Sequence, residues 1–284
     1  MKIYNRQTKK IETKTEYGGK YLDFLYNTAV GRLLLKVIVS PSLSRLYGRF
    51  NDSPLSRKKI KKFIEKNGID MSLYEKKNYR CFNDFFTRKK LEPSFDEDKN
   101  HFISPADSKL CVFDITDNLE IKIKRCTYTL PELTGFDESL SDFRGGKCLV
   151  FRLSVDDYHR YCNVDSGRLI RRKFIRGVLH TVRSVSESHR VFAQNCRLCS
   201  YLDTDNFGKL FYVCVGAMLV GRMKEHNKKS FKKGEEKGYF ETGGSTVIIL
   251  TQKGRISLDD DILSNSEKQI ETKVKYGERI GEKS

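Results

Sequence analysis

Near its end the sequence reads Phe240-Glu241-Thr242-Gly243-Gly244-Ser245-Thr246-Val247-Ile248-Ile249-Leu250. The apolar, β-branched run at 247–250 predicts a buried strand, and the glycine pair before it predicts an abrupt change of chain direction. Two residues without Cβ atoms permit strained backbone conformations and let another group approach the Gly244 carbonyl closely. A tight turn ahead of a strand is sufficient to explain these residues taken alone.

Ser245 adjoins that carbonyl, and this gives the stretch a second interpretation. The Ser245 hydroxyl could attack the carbonyl carbon of Gly244 and convert the amide to an ester. β-Elimination would then break the chain and leave a carbonyl group at a new N-terminus. From these residues alone, a simple turn and a self-cleavage site both remain open.

The charge of the chain is strongly positive and unevenly distributed. The 284 residues carry a formal charge of +17, and residues 1–100 contain 23 Lys and Arg against 12 Asp and Glu. This surplus favours an anionic partner, either nucleic acid or a lipid surface, although a solvated lysine-rich surface is an equal alternative. Residues 1–19 lack an apolar secretory segment, so we expect the eight cysteines to be reduced thiols in the cytoplasm. We expect no metal site, because Cys196-x-x-Cys199 has no second ligand pair.

An apolar stretch at 29–39 is interrupted by two cations. It reads Ala29-Val30-Gly31-Arg32-Leu33-Leu34-Leu35-Lys36-Val37-Ile38-Val39. Arg32 and Lys36 share one helical face because they are four residues apart, and the leucines and valines occupy the other sides. The stretch is too short to span a bilayer but suits a helix lying on an anionic membrane; packing as a core helix is equally compatible. Residues 56–67 predict a second basic amphipathic helix that ends at Asn67-Gly68.

From about residue 100 the sequence changes to short runs of strand type. Runs at 148–153, 210–215 and 247–250 are separated by Gly, Asp and Asn, which favours an antiparallel sheet. We therefore predict an α+β fold in two parts. A basic, helical and membrane-associating region spans residues 1–100, and a mainly antiparallel β domain spans residues 101–284. We expect the charged segment 264–284 to be loosely ordered.

Six further motifs occur in a fixed order along the chain. They are Phe82-Asn83-Asp84-Phe85-Phe86-Thr87-Arg88, Ser104-Pro105-Ala106-Asp107, Asp157-Tyr158-His159-Arg160, Arg190-Val191-Phe192-Ala193-Gln194-Asn195, Val215-Gly216-Ala217, and Lys233-Gly234-Glu235-Glu236-Lys237-Gly238-Tyr239-Phe240 leading into Gly243-Gly244-Ser245-Thr246. In this order they resemble the phosphatidylserine decarboxylases of the bacterial type, which process themselves. The resemblance extends over residues 15–260.

The resemblance implies a proenzyme that cleaves itself between Gly244 and Ser245. The products would be a beta chain of residues 1–244 and an alpha chain of residues 245–284, in which Ser245 has become a covalent pyruvoyl cofactor. That ketone would form a Schiff base with the amine of phosphatidylserine, accept the electrons released with carbon dioxide, and yield phosphatidylethanolamine. Residues 101–284 would then be the catalytic domain.

The same resemblance implies the catalytic residues. In the family, the aspartate of Ser-Pro-Ala-Asp belongs to an Asp-His-Ser set for self-cleavage, which assigns Asp107 and His159 together with Ser245. The family has two histidines three residues apart at this point, whereas this chain has His159 and then Cys162 in place of the second. The base for self-cleavage is therefore open between His159 alone, a thiolate of Cys162, and another histidine, for which His180 is the best candidate.

The resemblance also implies partners and a location. We expect a peripheral protein on the cytoplasmic face of the cell membrane, bound to anionic phospholipid and to phosphatidylserine, with no nucleic acid partner. Its two fragments would form a heterodimer, with room for a higher oligomer. Two rival functions remain: a pyruvoyl decarboxylase of a soluble amino acid, and an inactive homologue that only binds lipid.

Overall fold

The basic N-terminal region folds largely into helices. The structure, a computed structural model, describes residues 2–13, 19–137, 140–219, 222–243 and 245–284. The helices of this region are α1 (Gly19–Asn27), α2 (Ala29–Ile38), α3 (Pro41–Asp52), α4 (Lys59–Asn67) and α5 (Phe82–Phe86). The side chain of Thr28 caps α2 by accepting a hydrogen bond from the backbone N–H of Gly31. Helix α4 ends where the sequence predicted, because Gly68 adopts a left-handed φ of 58°.

Strands dominate the remainder of the chain. In chain order they are β1 (Lys2–Asn5), β2 (Lys10–Thr13), β3 (His101–Ile103), β4 (Ser108–Asp114), β5 (Glu120–Ile123), β6 (Cys126–Thr129), β7 (Lys147–Leu153), β8 (Arg160–Cys162), β9 (Gly167–Ile175), β10 (Arg197–Thr204), β11 (Gly208–Val215), β12 (Met223–Glu225), β13 (Ser230–Phe231), β14 (Glu236–Phe240), β15 (Ser245–Thr251), β16 (Ile256–Leu258), β17 (Glu271–Val274) and β18 (Arg279–Lys283). Three short helices interrupt them: α6 (Leu130–Thr134), α7 (Val191–Gln194) and α8 (Asp260–Glu267).

Ten of the described strands form one large sheet. Their order is β13-β9-β10-β11-β15-β7-β4-β17-β1-β2, and every neighbouring pair is antiparallel except β1 with β17. Smaller sheets are formed by β12-β14-β8, by β16-β18-β3 and by β5-β6. The prediction of an α+β fold with a mainly antiparallel β part and helices near the N-terminus is confirmed.

Strand β15 lies in the middle of the large sheet, between β11 and β7, and is buried along its whole length. Side chains alternate along a strand, so Val247 and Ile249 pack into one hydrophobic cluster while Ile248 and Leu250 pack into another on the opposite face. Fully burying an aliphatic side chain contributes about 1.5–3 kcal/mol. The apolar run at 247–250 is therefore continuous because both faces of the strand are covered.

The C-terminal segment differs from the prediction. Residues 264–284 are not loosely ordered, since β17 pairs with β4 and β1, and Val274 and Ile280 are fully buried. The many charges predicted disorder wrongly, because charged residues alternate in this segment with residues that pack into the core. Residues 2–13 also join the large sheet through β1 and β2, so the part before residue 100 is not entirely helical. The division at residue 100 stays a proposal.

Candidate active site

Ser245 is the first residue of β15, and it pairs with Leu153 of β7. It is fully buried, and its hydroxyl has no hydrogen-bond partner within the described residues. Two residues earlier, Gly243 has a φ of 121°, a conformation that strains any residue with a side chain. Gly244, the other half of the predicted cleavage site, lies outside the described residues. The chain thus bends just before a serine hydroxyl that has no competing hydrogen bond.

The segment around His159 covers the face of the sheet on which Ser245 lies. Because side chains alternate along β15, Ser245 is on the same side as Val247. That side belongs to a hydrophobic cluster that includes Tyr158, Tyr161 and Cys162, the neighbours of His159 in sequence. The fold therefore places the serine and the Asp157-Tyr158-His159-Arg160 motif on one side of the large sheet.

His159 is fully buried and held in one orientation. Its Nδ1 lies 2.9 Å from the carbonyl oxygen of Asp157, so Nδ1 carries the proton and donates it to that carbonyl. Its Nε2 is then an acceptor, and it has no partner within the described residues. Burial lowers the pKa of His159 to about 3, against a weaker opposing effect of the hydrogen bond to Asp157. The imidazole is therefore neutral at pH 7, with a lone pair available at Nε2.

Phe86 fixes the other side of this imidazole. Its ring centroid is 4.3 Å from that of His159, and both side chains are almost completely buried. His159 and Ser245 are not hydrogen-bonded to each other, since both polar atoms lack partners in the described part of the chain.

Asp107 is buried and takes different partners from those that the resemblance implies. One carboxylate oxygen, Oδ1, accepts hydrogen bonds from the backbone N–H of Tyr276 at 2.7 Å and from Nζ of Lys90 at 3.1 Å. No contact joins Asp107 to His159 in the portions of the chain described here. The structure places the cation of Lys90 next to the carboxylate for which the resemblance implies a histidine partner.

Cys162 lies beside the segment that carries Asp107. Its backbone N–H donates to the carbonyl of Pro105 at 2.9 Å, and its sulfur is 3.9 Å from the carbonyl oxygen of Ser104. The residue is fully buried, and burial raises the pKa of the Cys162 thiol to about 12. At pH 7 the group is therefore a neutral thiol, which is a poor base.

His180 takes its hydrogen bonds and ring contacts from residues other than Ser245. Its Nδ1 is 3.0 Å from the hydroxyl of Tyr26 in α1, and its ring lies 4.9 Å from that of His189. Burial lowers the pKa of His180 to about 4. No direct contact joins His180 to Ser245 among the described residues, although Asn195 bonds both the His180 carbonyl and that of Gly216, next to the strand pair of Val215 with Thr246.

Sequence reasoning missed a polar network that holds the segment before the predicted cleavage site. The Thr242 hydroxyl donates to Oδ1 of Asn83, whose Nδ2 donates to Oδ1 of Asp52 at 2.7 Å. Arg222 donates to the other oxygen of Asp52 at 2.6 Å and forms an ion pair with Glu241. Asn83 lies in a quoted motif, but no local pattern links it to a threonine 159 residues later.

Comparison with known proteins identifies the family of this chain. Residues 82–282 match the family model described as phosphatidylserine decarboxylase. The chain belongs to the phosphatidylserine decarboxylase family. It is 52% identical to phosphatidylserine decarboxylase proenzyme 2 of Clostridium acetobutylicum, over 99% of this chain and 98% of that one. It is 42% identical to a phosphatidylserine decarboxylase proenzyme of Clostridium perfringens over the full length of both chains, and 40% identical to one of Clostridium botulinum over 100% and 99% of the two chains.

The family assignment confirms the resemblance seen in the motifs, and with it the prediction of a decarboxylase made as a proenzyme for phospholipid synthesis. The model of the phosphatidylserine decarboxylase family begins at Phe82, so it includes α5 and all strands from β3 onward. The relatives extend the similarity to the basic helices, because they align over the whole chain.

Proposed function

We propose that this chain is a self-processing decarboxylase that converts phosphatidylserine to phosphatidylethanolamine and carbon dioxide. The observation that carries the proposal is the pair of buried, unpartnered polar atoms, Ser245 Oγ and His159 Nε2, on one side of the large sheet. Buried polar atoms are almost always hydrogen-bonded, and an exception calls for an explanation, of which a catalytic role is one. The rival function of an inactive lipid-binding homologue gives these two atoms no use.

Self-cleavage begins when the Ser245 hydroxyl attacks the Gly244 carbonyl. His159 Nε2 would take the hydroxyl proton and return it to the departing backbone nitrogen, so that an ester replaces the amide. Loss of the Ser245 Cα proton then expels the Gly244 carboxylate. The dehydroalanine that remains hydrolyses to a ketone and ammonia. The positive φ of Gly243 supports this step because it bends the chain just ahead of the reacting residues.

The resulting pyruvoyl group would supply the carbonyl that forms a Schiff base with the substrate amine and receives the electrons released with carbon dioxide. The site residues fit such a group, since Ser245 is enclosed by the apolar cluster and its side chain has no other partner. His159 is neutral and its Nδ1–H is held by the Asp157 carbonyl, so its Nε2 could accept a proton on the side of the sheet that carries residue 245. Asp107 is linked toward the same motif by Lys90, whose Nζ is 3.1 Å from the Asp107 carboxylate and 4.8 Å from the ring centroid of Tyr158.

The structure also supports a heterodimer of the two fragments. After cleavage, β15 would remain between β11 and β7, and β17 between β4 and β1, all four of which belong to residues 1–244. Arg152 of β7 forms a two-pronged ion pair with Glu271 of β17, at 2.9 and 2.5 Å. The backbone hydrogen bonds between these interleaved strands would hold residues 245–284 in place after cleavage.

The surface of α2 supports attachment to a membrane. Val30, Leu33, Leu34 and Val37 are 64%, 67%, 47% and 62% exposed, and they form one stripe along the helix. An exposed apolar stripe of this kind is unfavourable in water, but it can be buried at the boundary between the headgroups and the acyl chains of a membrane. Among the described residues no helix is both long and apolar enough to cross a bilayer. We therefore propose peripheral attachment, which favours a lipid substrate over a soluble amino acid.

The proposal is tested with Ser245→Ala and, as a matched control, Ser257→Ala on the exposed edge of β16. Each purified protein is analysed on denaturing gels and incubated with vesicles that contain carboxyl-labelled phosphatidylserine. The wild type and Ser257→Ala should appear as two fragments and release labelled carbon dioxide, and Ser245→Ala should do neither. Cleavage that persists in Ser245→Ala would overturn the proposal.

A further inference from the structure

Arg88, two residues after the end of α5, carries a buried charge for which the described part of the chain offers no anionic partner. The residue is 2% exposed, and neither Nε nor Nη2 has a hydrogen-bond partner within the described residues. The remaining nitrogen, Nη1, makes one long contact of 3.5 Å with the carbonyl oxygen of Phe86. A buried, unpaired charge costs several kcal/mol, so a guanidinium in this state is suited to binding an anion that arrives from outside.

Other buried arginines of the described chain do not share this property. Arg160 forms two hydrogen bonds with the carboxylate of Glu236, at 2.7 and 2.8 Å. Arg152 is paired in the same way with Glu271, and Arg197 donates to four backbone carbonyl groups. The fold therefore supplies hydrogen-bond acceptors to other buried guanidinium groups, whereas two nitrogens of Arg88 are left without one.

The Arg88 guanidinium lies in the wall of the candidate active site. It stacks over the ring of Tyr74 at 4.5 Å and lies 5.1 Å from the ring centroid of Phe85. Phe86, two residues earlier, packs its ring against His159. The positive charge of Arg88 is also one of the causes that lower the pKa of His159, after the larger effect of burial. The two aromatic rings hold the cation near the proposed base without neutralising it.

The substrate of the proposed function offers two anionic groups, a carboxylate and a phosphodiester. A guanidinium bound to the carboxylate would stabilise the charge that has to be lost on decarboxylation and would raise the barrier. The phosphodiester keeps its charge throughout the reaction, and a guanidinium fork matches its oxygens. We propose that Arg88 binds the phosphodiester of the lipid headgroup and orients the serine moiety toward residue 245. This inference rests on the proposed function.

The experiment compares two substrates in the same mixed micelles: phosphatidylserine, and a long-chain O-alkyl serine that lacks the phosphate. Wild type, Arg88→Gln, Arg88→Lys and the control Arg80→Gln, an exposed arginine, are first checked for complete cleavage on gels. Arg88→Gln should lose about 10- to 100-fold in kcat/KM for phosphatidylserine, mainly through KM, the range expected for charge-assisted hydrogen bonds. Its kcat/KM for the O-alkyl serine should stay within twofold of wild type, and Arg88→Lys should recover part of the loss.

Inhibition by phosphatidylethanolamine distinguishes the two anionic groups, because this product retains the phosphodiester and lacks the carboxylate. Arg88→Gln should weaken that inhibition by the same factor as it raises KM. Equal losses for both substrates with unchanged inhibition would show that Arg88 binds the carboxylate and would overturn the inference. If Arg88→Gln does not fold, the wild type decides: equal kcat/KM for both substrates would also overturn it. A wild type that is neither cleaved nor active would refute the proposed function itself.

Discussion

Lowering the pH from 8 to 5 should leave the rate of self-cleavage almost unchanged if His159 is the base. Burial lowers the pKa of this histidine to about 3. About 99% of the imidazole would then still be neutral at pH 5, whereas an imidazole with the ordinary pKa near 6.5 would be only about 3% neutral. An ordinary histidine would therefore slow cleavage about 30-fold over this range, and the His159 environment predicts a change below twofold.

The assay uses precursor labelled with methionine during brief cell-free synthesis and then diluted into buffers between pH 5 and 8. Appearance of the fragment 1–244 on denaturing gels gives the rate constant. His159→Gln should slow cleavage about 10²- to 10⁴-fold at every pH, the usual contribution of a general base. A rate that falls about 30-fold with a midpoint near pH 6.5 would refute the assignment of a buried, neutral His159.

Acid instability is the main alternative cause of a slower rate, and its direction is known. The unfolded chain binds a proton at His159 below pH 6.5 while the folded chain does so only near pH 3, so stability falls as the pH drops between these values. At pH 5 the loss is on the order of 2 kcal/mol. Thermal unfolding of the uncleaved Ser245→Ala protein at each pH shows whether the fold persists under the assay conditions.

Three further predictions concern the segment before the cleavage site, the membrane surface and the contact between fragments. Asn83→Ala removes the hydrogen bond to Thr242 and should slow self-cleavage about 3- to 10-fold in the labelled-precursor assay, since one hydrogen bond contributes about 0.5–1.5 kcal/mol. Leu33→Glu combined with Val37→Glu should lower the affinity for anionic vesicles, measured by flotation, about 100-fold or more. Each of the two exposed apolar side chains would contribute roughly 1.5–3 kcal/mol to binding when it is buried in lipid. Arg152→Met leaves the buried carboxylate of Glu271 unpaired and should weaken the association of the two fragments by about 3–5 kcal/mol. Gel filtration in increasing urea should then show the fragments separating at a lower urea concentration than in the wild type.

Each of these variants has a matched control in the chain. Asn78→Ala changes an exposed asparagine, Leu73→Glu an apolar side chain outside α2, and Arg168→Met an ion pair whose arginine is 74% exposed. Normal cleavage of Asn83→Ala would show that the Thr242 contact does not position the segment. Undiminished flotation of the double variant would place the membrane surface elsewhere. Equal urea sensitivity of the Arg152 and Arg168 variants would mean that the buried pair adds nothing to fragment association.

Local patterns in the sequence predicted the elements that depend on local physics. The run at 247–250 predicted β15, the spacing of Arg32 and Lys36 predicted α2, and Asn67-Gly68 predicted the end of α4. The sequence left open whether the apolar side of α2 packs inward or faces out. Only the fold answers that question, because it covers Leu35 and exposes the stripe that contains Leu33.

Contacts between distant segments could not be predicted. Lys90 meets Asp107 because a loop after α5 crosses the start of β4, and Tyr276 reaches the same carboxylate from 169 residues away. Arg88 is unpaired because the fold brings no acceptor to its Nε and Nη2 within the described residues, and a sequence motif carries no information on such an absence. Order in the last twenty residues comes from β17 pairing with β4 and β1, so composition alone was a poor guide there.

Cleavage at Ser245 with formation of a pyruvoyl group can be read from the intact mass of the denatured, purified protein. We expect two species, one matching residues 1–244 and one matching residues 245–284 with a pyruvoyl group in place of the N-terminal serine. A single species at the mass of the full chain, unchanged after long incubation with anionic vesicles, would contradict it.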